Sequence, residues 1–299
     1  MADVPLIDPP AQLLTLADGR RLSWREFGLP DGEPVLYFHG GGSTSLEAGI
    51  FHREAVQRGL RLIATDRPGA GGSSLRPGRP VAAYSDDLTE LLDALGVDRF
   101  ACFGESNGGM VTLAVAATLP ARVLGAVPIN PTVPWFDPVA RRVSSRSAAV
   151  AYRLLTYAPR LLAVVDGYAA HRTPGVRPAL PPRSEVGPSD LIGPPPGIEP
   201  DVGEFHLRAM GERAGSAALL AELRWAGADW GFDHYSVSVP LDVFCGAYDL
   251  QAPFALVLAD RNDARFHSFS FGHVGFSHPD ARRRIVDVVA GYLESRRNS

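Results

Sequence analysis

The segment Phe103-Gly104-Glu105-Ser106-Asn107-Gly108 decides how this chain is interpreted, because it joins a short apolar run to a stretch rich in Ala, Val and Leu. The apolar run that ends at Phe103 predicts a buried strand, and residues 110–119 predict a helix. A serine on a tight strand-to-helix turn needs neighbours without a Cβ atom if its hydroxyl is to stand clear of the backbone. Ser106 is therefore the candidate nucleophile.

The composition indicates a globular chain, since 45% of its 299 residues are hydrophobic and can supply a core. A formal net charge of −4 gives no basic surface for nucleic acid, and no apolar run is long enough to cross a bilayer. The amino terminus lacks the basic and apolar regions of a secretory signal. We therefore expect a cytoplasmic protein that binds a small-molecule substrate, neither nucleic acid nor membrane, with a homodimer left open.

The two cysteines, Cys102 and Cys245, each lie in a short apolar run that predicts a buried strand. A reduced thiol in such a place behaves as a small hydrophobic side chain. We interpret neither as a disulfide partner, metal ligand or nucleophile, and we expect no metal and no cofactor.

Apolar runs bounded by Gly, Pro and Asp alternate with stretches of helical period, which is typical of a mostly parallel sheet flanked by helices. The sequence thus predicts an α/β fold. The predicted strands are 13–16 and 22–27, which form a hairpin, then 35–38, 62–65, 100–103, 123–129, 241–244 and 266–271. The predicted helices are 84–95, one that opens at Ser106, one after Pro253, and one from Pro279 to about Leu293.

The alternation stops for about a hundred residues after the strand at 123–129, which indicates an insertion. We assign residues 1–131 and 239–299 to the core domain and 132–238 to a helical cap or lid. The insert holds helical patterns near 148–165 and 204–225, separated by a proline-dense segment, 174–200, that cannot be helix. A lid over one end of the sheet is the expected arrangement.

A serine nucleophile needs a base within hydrogen-bond reach, and the base needs an acid that fixes its tautomer. His273 lies in a glycine-flanked loop after the predicted final strand, at the same sheet edge as Ser106, and is the predicted base. His267 falls within that strand and His278 precedes the closing helix, so both suit the role less well.

Asp249 is the predicted acid, because it follows directly after the predicted strand 241–244. The competing carboxylates are Asp242, which begins that strand, and Asp260 and Asp263, which fall on a predicted helix end where capping or solvation is the ordinary role.

Attack on a carbonyl builds negative charge on oxygen, so two backbone N–H groups should already face that position. Asn107, which follows the nucleophile, supplies one, and Gly41 in the loop after strand 35–38 is the expected second. A glycine turn without any ligand is the alternative explanation of this loop. The residues expected to contact substrate are His39, Gly40, Gly42, Glu105, Trp135 and Trp230.

Taken together, these pieces resemble the α/β-hydrolase fold family, in which the nucleophile, acid and histidine follow one another as Ser106, Asp249 and His273 do. The segment 66–73, Asp-Arg-Pro-Gly-Ala-Gly-Gly-Ser, resembles the family's D-x-x-G-x-G-x-S loop, and 132–238 matches the position of its helical cap. The glycine loop at 39–43 is nearer the lipase and esterase form than the His-Gly-x-Pro-Gly of other cap-bearing members. A serine at position 106 argues against the dehalogenases and epoxide hydrolases, which use aspartate.

The resemblance implies a serine hydrolase that cleaves a carboxylic ester, with a small to medium apolar substrate. Three alternatives stay open: a proline iminopeptidase-like aminopeptidase, acyl elimination or other lyase chemistry on a natural product, and ligand binding without turnover. The aminopeptidase would need an insert carboxylate for the substrate's amine, and the available ones, Glu204, Glu212 and Glu222, lie on what we interpret as solvated helix surface.

Overall fold

The computed structural model describes residues 4–144, 197–212, 222, 225 and 227–297. Within these residues, eight strands form one sheet in the order β1-β2-β4-β3-β5-β6-β7-β8. The strands are β1 (Gln12–Thr15), β2 (Arg21–Gly28), β3 (Glu33–Phe38), β4 (Leu60–Thr65), β5 (Phe100–Glu105), β6 (Val123–Ile129), β7 (Asp242–Gly246) and β8 (Arg265–Phe269). Strand β2 pairs antiparallel with both β1 and β4, and the other neighbouring strands pair parallel, so the predicted mostly parallel α/β architecture is confirmed.

Helices cover both faces of the sheet. They are α1 (His52–Gln57), α2 (Tyr84–Ala94), α3 (Asn107–Thr118), α4 (Pro138–Val143), α5 (Pro200–Gly211), α6 (Ala252–Arg261) and α7 (Pro279–Arg297). Short 3₁₀ helices occupy Ser45–Phe51, Val81–Ala83 and His273–Ser277. The strands and core helices fall within a few residues of their predicted positions, since apolar runs and helical periods mark them clearly.

The predicted helix at 204–225 has the wrong bounds. Helix α5 begins at Pro200 and ends at Gly211, and residues 213–221 lie outside the described residues. Proline fits the first turn of a helix, where an N–H would lack a partner and its fixed φ suits the backbone. The sequence pattern instead predicts that 174–200 cannot be helix, and for Pro200 this prediction is wrong. The predicted helix at 148–165 and residues 174–196 also lie outside the described residues.

Helix α5 packs against the core rather than standing away from it. Its buried side chains, Val202, Phe205 and Ala209, join the apolar cluster on one face of the sheet. Phe205 fills the space beside Gly49, where an added Cβ would lie 2.2 Å from the ring. Burying a phenylalanine contributes about 2 kcal/mol, so this part of the insert is firmly held.

The direction of chain connection reverses between β3 and β5, because the chain turns to β4 on one side of β3 and to β5 on the other. Loops that leave the carboxyl ends of parallel strands on either side of such a point diverge and open a crevice. The loop at 39–42 and Ser106 follow β3 and β5, so both border this crevice.

Candidate active site

Ser106 lies on a sharp turn between β5 and α3, with φ 54° and ψ −116°. A positive φ is uncommon outside glycine, so the surrounding packing must hold this backbone in place. Two glycines permit the turn, because a Cβ on Gly104 would lie 2.6 Å, and one on Gly108 1.9 Å, from the carbonyl oxygen of Phe38. The Ser106 amide donates to the carbonyl of Ile129 at 2.8 Å, which ties the turn to the neighbouring strand.

Asp249 and His273 meet at the same edge of the sheet. Asp249 lies in the loop after β7, and His273 begins the 3₁₀ helix after β8. Nδ1 of His273 lies 2.6 Å from Oδ2 of the buried Asp249. An ionised carboxylate at that distance accepts Nδ1–H, which leaves Nε2 free to take a proton.

Asn130 joins the two loops that carry this pair, a role that the sequence analysis missed. Its Nδ2 donates to the carbonyl of His273 at 2.6 Å, and its Oδ1 accepts from the amide of Gly246 at 2.9 Å. It also adopts φ 42°, a left-handed conformation that asparagine tolerates better than most residues. Its position directly after β6 could have indicated this role, because residues that follow parallel strands lie at the edge of the sheet that carries the site.

The Nε2 side of His273 faces a second carboxyl group. Nε2 lies 3.8 Å from Oε2 of Glu105, whereas Ser106 Oγ has no hydrogen-bond partner among the described residues. Burial lowers the pKa of His273, but the charge of Asp249 and its hydrogen bond, with Glu105 and Glu47, outweigh burial and raise that pKa to about 9. The structure therefore brings the base and acid together but does not close the bond to the serine.

Glu105 is buried beneath the glycine loop. A Cβ on Gly40 would lie 1.5 Å from Glu105 Oε1, and Oε2 is buried without a hydrogen-bond partner. Burial and the neighbouring Glu47 raise the pKa of Glu105 to about 8. In this structure Glu105 lies against the glycine loop and faces the imidazole, and its contact with substrate stays a prediction.

Two backbone amides are available for an oxyanion. In the described part of the chain, the N–H groups of Gly41 and Asn107 have no hydrogen-bond partner, and Gly41 is exposed. The two residues are adjacent, since a Cβ on Gly41 would lie 2.8 Å from Asn107 Nδ2. Thr132 Oγ1 donates to Asn107 Oδ1 at 2.7 Å and holds that side chain aside.

His39 supports the glycine loop from inside and has no exposed surface for a substrate. Its Nδ1–H donates to the carbonyl of Gly40 at 2.9 Å, and its Nε2 accepts from the Arg67 amide at 3.3 Å. Burial and the charge of Arg67 hold its pKa well below the usual range, so the ring is neutral. The predicted substrate contact by His39 is corrected to a structural role.

Gly42 is also engaged, by a residue of the insert. Its amide donates to Oε2 of Glu222 at 3.0 Å, and Oε1 of Glu222 accepts from Arg67 Nη2 at 2.6 Å. Glu222 is 4% exposed and Arg67 1% exposed. The interpretation of Glu222 as a solvated surface charge is therefore wrong, whereas Glu204 and Glu212 are exposed.

The two tryptophans expected in the substrate pocket pack against the apolar core. Trp230 is fully buried, and its indole N–H donates to the carbonyl of Trp225 at 3.0 Å. Trp230 offers no surface to a ligand, so its expected substrate contact is corrected to a packing role. Trp135 is only partly buried.

The alternative bases and acid have other partners. His267 Nε2 lies 2.6 Å from Asp242, at the opposite end of β7 from Asp249. His278 Nδ1 accepts from the amide of Asp280 and so caps α7. Both histidines therefore bind groups other than Ser106.

The described residues were also compared with the requirements of a metal site and of a membrane-spanning helix. No group of three or more His, Cys, Asp or Glu side chains there is arranged to hold a metal ion, and no helix there has the length and apolarity to span a membrane. Cys102 and Cys245 are buried and unbridged, in β5 and β7.

The chain matches known proteins in its sequence and in its structure. The family model for the α/β hydrolase fold matches residues 33–175. The chain is similar to the proline iminopeptidase of Neisseria meningitidis serogroup A, with 32% identity over 125 residues. That match spans 38% of this chain and 37% of the iminopeptidase.

Two solved structures share the fold over nearly the whole chain. A hydrolase from Pseudomonas aeruginosa superposes with a TM-score of 0.65 at 23% identity, covering 95% of this chain and 98% of that one. A thermophilic esterase from Thermogutta terrifontis gives 0.63 at 20% identity, covering 96% and 98%. The sequence match, the sheet order and these superpositions agree, and the chain has the α/β-hydrolase fold.

Proposed function

We propose that the protein is a carboxylic ester hydrolase that acts through a serine acyl-enzyme. The observation that carries this proposal is the arrangement at one sheet edge of Ser106 on a strained turn, the Asp249–His273 hydrogen bond of 2.6 Å, and two unpaired amides. Nucleophile, base, acid and oxyanion donors are the parts that acyl transfer requires.

In this mechanism, rotation of the Ser106 hydroxyl toward His273 Nε2 precedes attack. His273 takes the hydroxyl proton as Ser106 Oγ adds to the ester carbonyl, and Asp249 stabilises the imidazolium. The amides of Gly41 and Asn107 bind the oxyanion. The imidazolium then protonates the leaving alcohol, and a water molecule activated by the same base releases the acid.

An iminopeptidase function is the second candidate, because the chain is 32% identical to an iminopeptidase over 125 residues. Such an enzyme would need an unpaired carboxylate near the site for the substrate's amine. Glu222 is the buried insert carboxylate at the glycine loop, but Arg67 already neutralises it. Glu212 pairs with Arg25 and Glu204 is exposed, so we favour ester hydrolysis.

A panel of nitrophenyl esters and proline nitroanilide tests the proposal. We expect ester turnover by the wild type, no more than background turnover by Ser106→Ala, and little cleavage of the anilide. Full ester activity in Ser106→Ala would refute the proposal. Faster cleavage of proline nitroanilide than of any ester would favour the iminopeptidase. Formation of an alkene without uptake of oxygen from H₂¹⁸O would indicate lyase chemistry.

A further inference from the structure

We propose that Arg67 and Glu222 form a positioning pair that aims the Gly41 N–H at the oxyanion site, so that the insert completes the site. The inference rests on the proposed function, because it assigns Gly41 the oxyanion role. Arg67 follows β4 in the core and Glu222 belongs to the insert, 155 residues further along the chain.

Arg67 binds the glycine loop through its carbonyl groups. Its Nη1 donates to the carbonyl of His39, and its Nη2 donates to the carbonyl of Gly40 at 2.8 Å. The guanidinium is a rigid, planar fork, so these contacts fix the orientation of two successive peptide groups.

The orientation of the Gly40 carbonyl determines that of the Gly41 amide. A trans peptide is planar, and its C=O and N–H point in opposite directions. Because Arg67 holds the Gly40 oxygen toward the core, the N–H of Gly41 points away from the core. Gly41 is the exposed residue of the loop, while Gly40 and Gly42 are buried.

The rest of the loop is fixed by two carboxylates. The Gly40 amide donates to Glu47 Oε1 at 2.9 Å, and the Gly42 amide donates to Glu222 Oε2 at 3.0 Å. The Gly41 amide is thus unpaired between two anchored neighbours, within the described residues. These anchors are needed because a glycine loses more conformational entropy than any other residue when its backbone is held in one conformation.

Burial of this pair argues for a role beyond stability. Both side chains are almost fully buried, and taking two charges out of water costs about as much as their attraction returns. An apolar pair of similar size would hold the insert equally well. It could not bind two carbonyls and one amide of the glycine loop at the same time.

The test compares Glu222→Gln and Arg67→Lys with Glu212→Gln. Glu212 is a matched control, because it is also an insert carboxylate that pairs with a core arginine, Arg25, but it accepts from the Thr44 hydroxyl and binds no amide of the glycine loop. We expect kcat for a nitrophenyl ester to fall about tenfold or more in the first two variants, since losing one oxyanion donor costs on the order of 10²–10³ in kcat. We expect KM to change less than about twofold and the control to match the wild type.

A second readout does not depend on turnover. Affinity for a phenylboronic acid, whose serine adduct places an oxygen at the oxyanion position, should fall in parallel with kcat, while affinity for benzoate stays unchanged. Crystal structures of Glu222→Gln and the wild type should show the Gly40–Gly41 peptide rotated or in several conformations in the variant. A folded Glu222→Gln with an unchanged loop, wild-type kcat and wild-type boronate affinity would overturn the inference.

The two proposals fail in different ways. A wild type that neither turns over esters nor binds boronate would refute the ester hydrolase proposal. The crystal structures of the wild type and Glu222→Gln would then decide whether the pair positions the Gly40–Gly41 peptide. A wild type that is active, with Glu222→Gln equally active, would refute the positioning pair alone.

Discussion

His273 lies between two carboxyl groups, with Asp249 2.6 Å from Nδ1 and Glu105 3.8 Å from Nε2. The nearer carboxylate serves the base in the proposed mechanism, because it holds Nδ1–H and stabilises the imidazolium. Glu105, the farther carboxyl group, competes with Ser106 for Nε2, the nitrogen that must accept the serine proton.

Asp249→Asn should lower kcat by about 10³–10⁴, because an amide at this position favours the wrong imidazole tautomer. Steady-state hydrolysis of a nitrophenyl ester measures the effect. Asp260→Asn, an exposed acid at the end of α6, is the control and should keep wild-type activity. Equal activity in Asp249→Asn and the wild type would exclude Asp249 from the catalytic set.

Glu105→Gln should move the pH profile of kcat/KM to lower pH. The base must be neutral, so activity rises as the pH increases through the raised pKa of His273. The Glu105 carboxylate favours the imidazolium, and its removal should shift the acid limb of the profile down by about one unit. An acid limb at unchanged or higher pH would show that Glu105 does not act on His273.

Asn130→Gly should separate the backbone role of this residue from its hydrogen bonds. Glycine accepts the positive φ of 42° without strain but removes both links to the loops that carry the base and acid. We expect a loss of about 1–3 kcal/mol in the free energy of unfolding, measured with urea, together with a lower kcat. A variant with wild-type kcat and stability would show that the loops hold themselves in place.

Asp242→Asn should destabilise the protein without impairing catalysis. This fully buried carboxylate accepts from Arg265, His267 and Tyr292, at the opposite end of β7 from the candidate site. Breaking such a buried network costs about 3 kcal/mol. Ester hydrolysis below the unfolding range should match the wild type.

The pH dependence of that destabilisation has a defined sign. Burial raises the pKa of Asp242, but its hydrogen bonds outweigh burial and lower that pKa below the usual value. A lowered carboxyl pKa contributes stability above the unfolded value of about 3.9, and this contribution is lost as the pH falls. The difference in unfolding free energy between wild type and Asp242→Asn should therefore shrink below about pH 4, and a constant difference would contradict the assignment.

The sequence predicted the core well because its signals are local. The apolar runs, the glycines at 104 and 108 and the loop positions of Asp249 and His273 lie within or next to the strands that place them. Parallel strands bring their carboxyl ends to one edge, so residues far apart in the chain could be expected to meet there.

The contacts of the insert could not be predicted in the same way. Glu222 and Gly42 are 180 residues apart, and no periodic pattern links a helix surface to a particular loop amide. Trp230 was misplaced for a related reason, since a large aromatic residue suits both a pocket wall and a core. Only three-dimensional packing distinguishes the two.

Covalent labelling by a fluorophosphonate tests most directly whether His273 activates Ser106. We expect one adduct per chain in the wild type, mapped to Ser106 by peptide mass spectrometry, none in Ser106→Ala, and labelling slowed by orders of magnitude in His273→Gln. An unlabelled wild type, or equal labelling rates in the wild type and His273→Gln, would contradict this expectation.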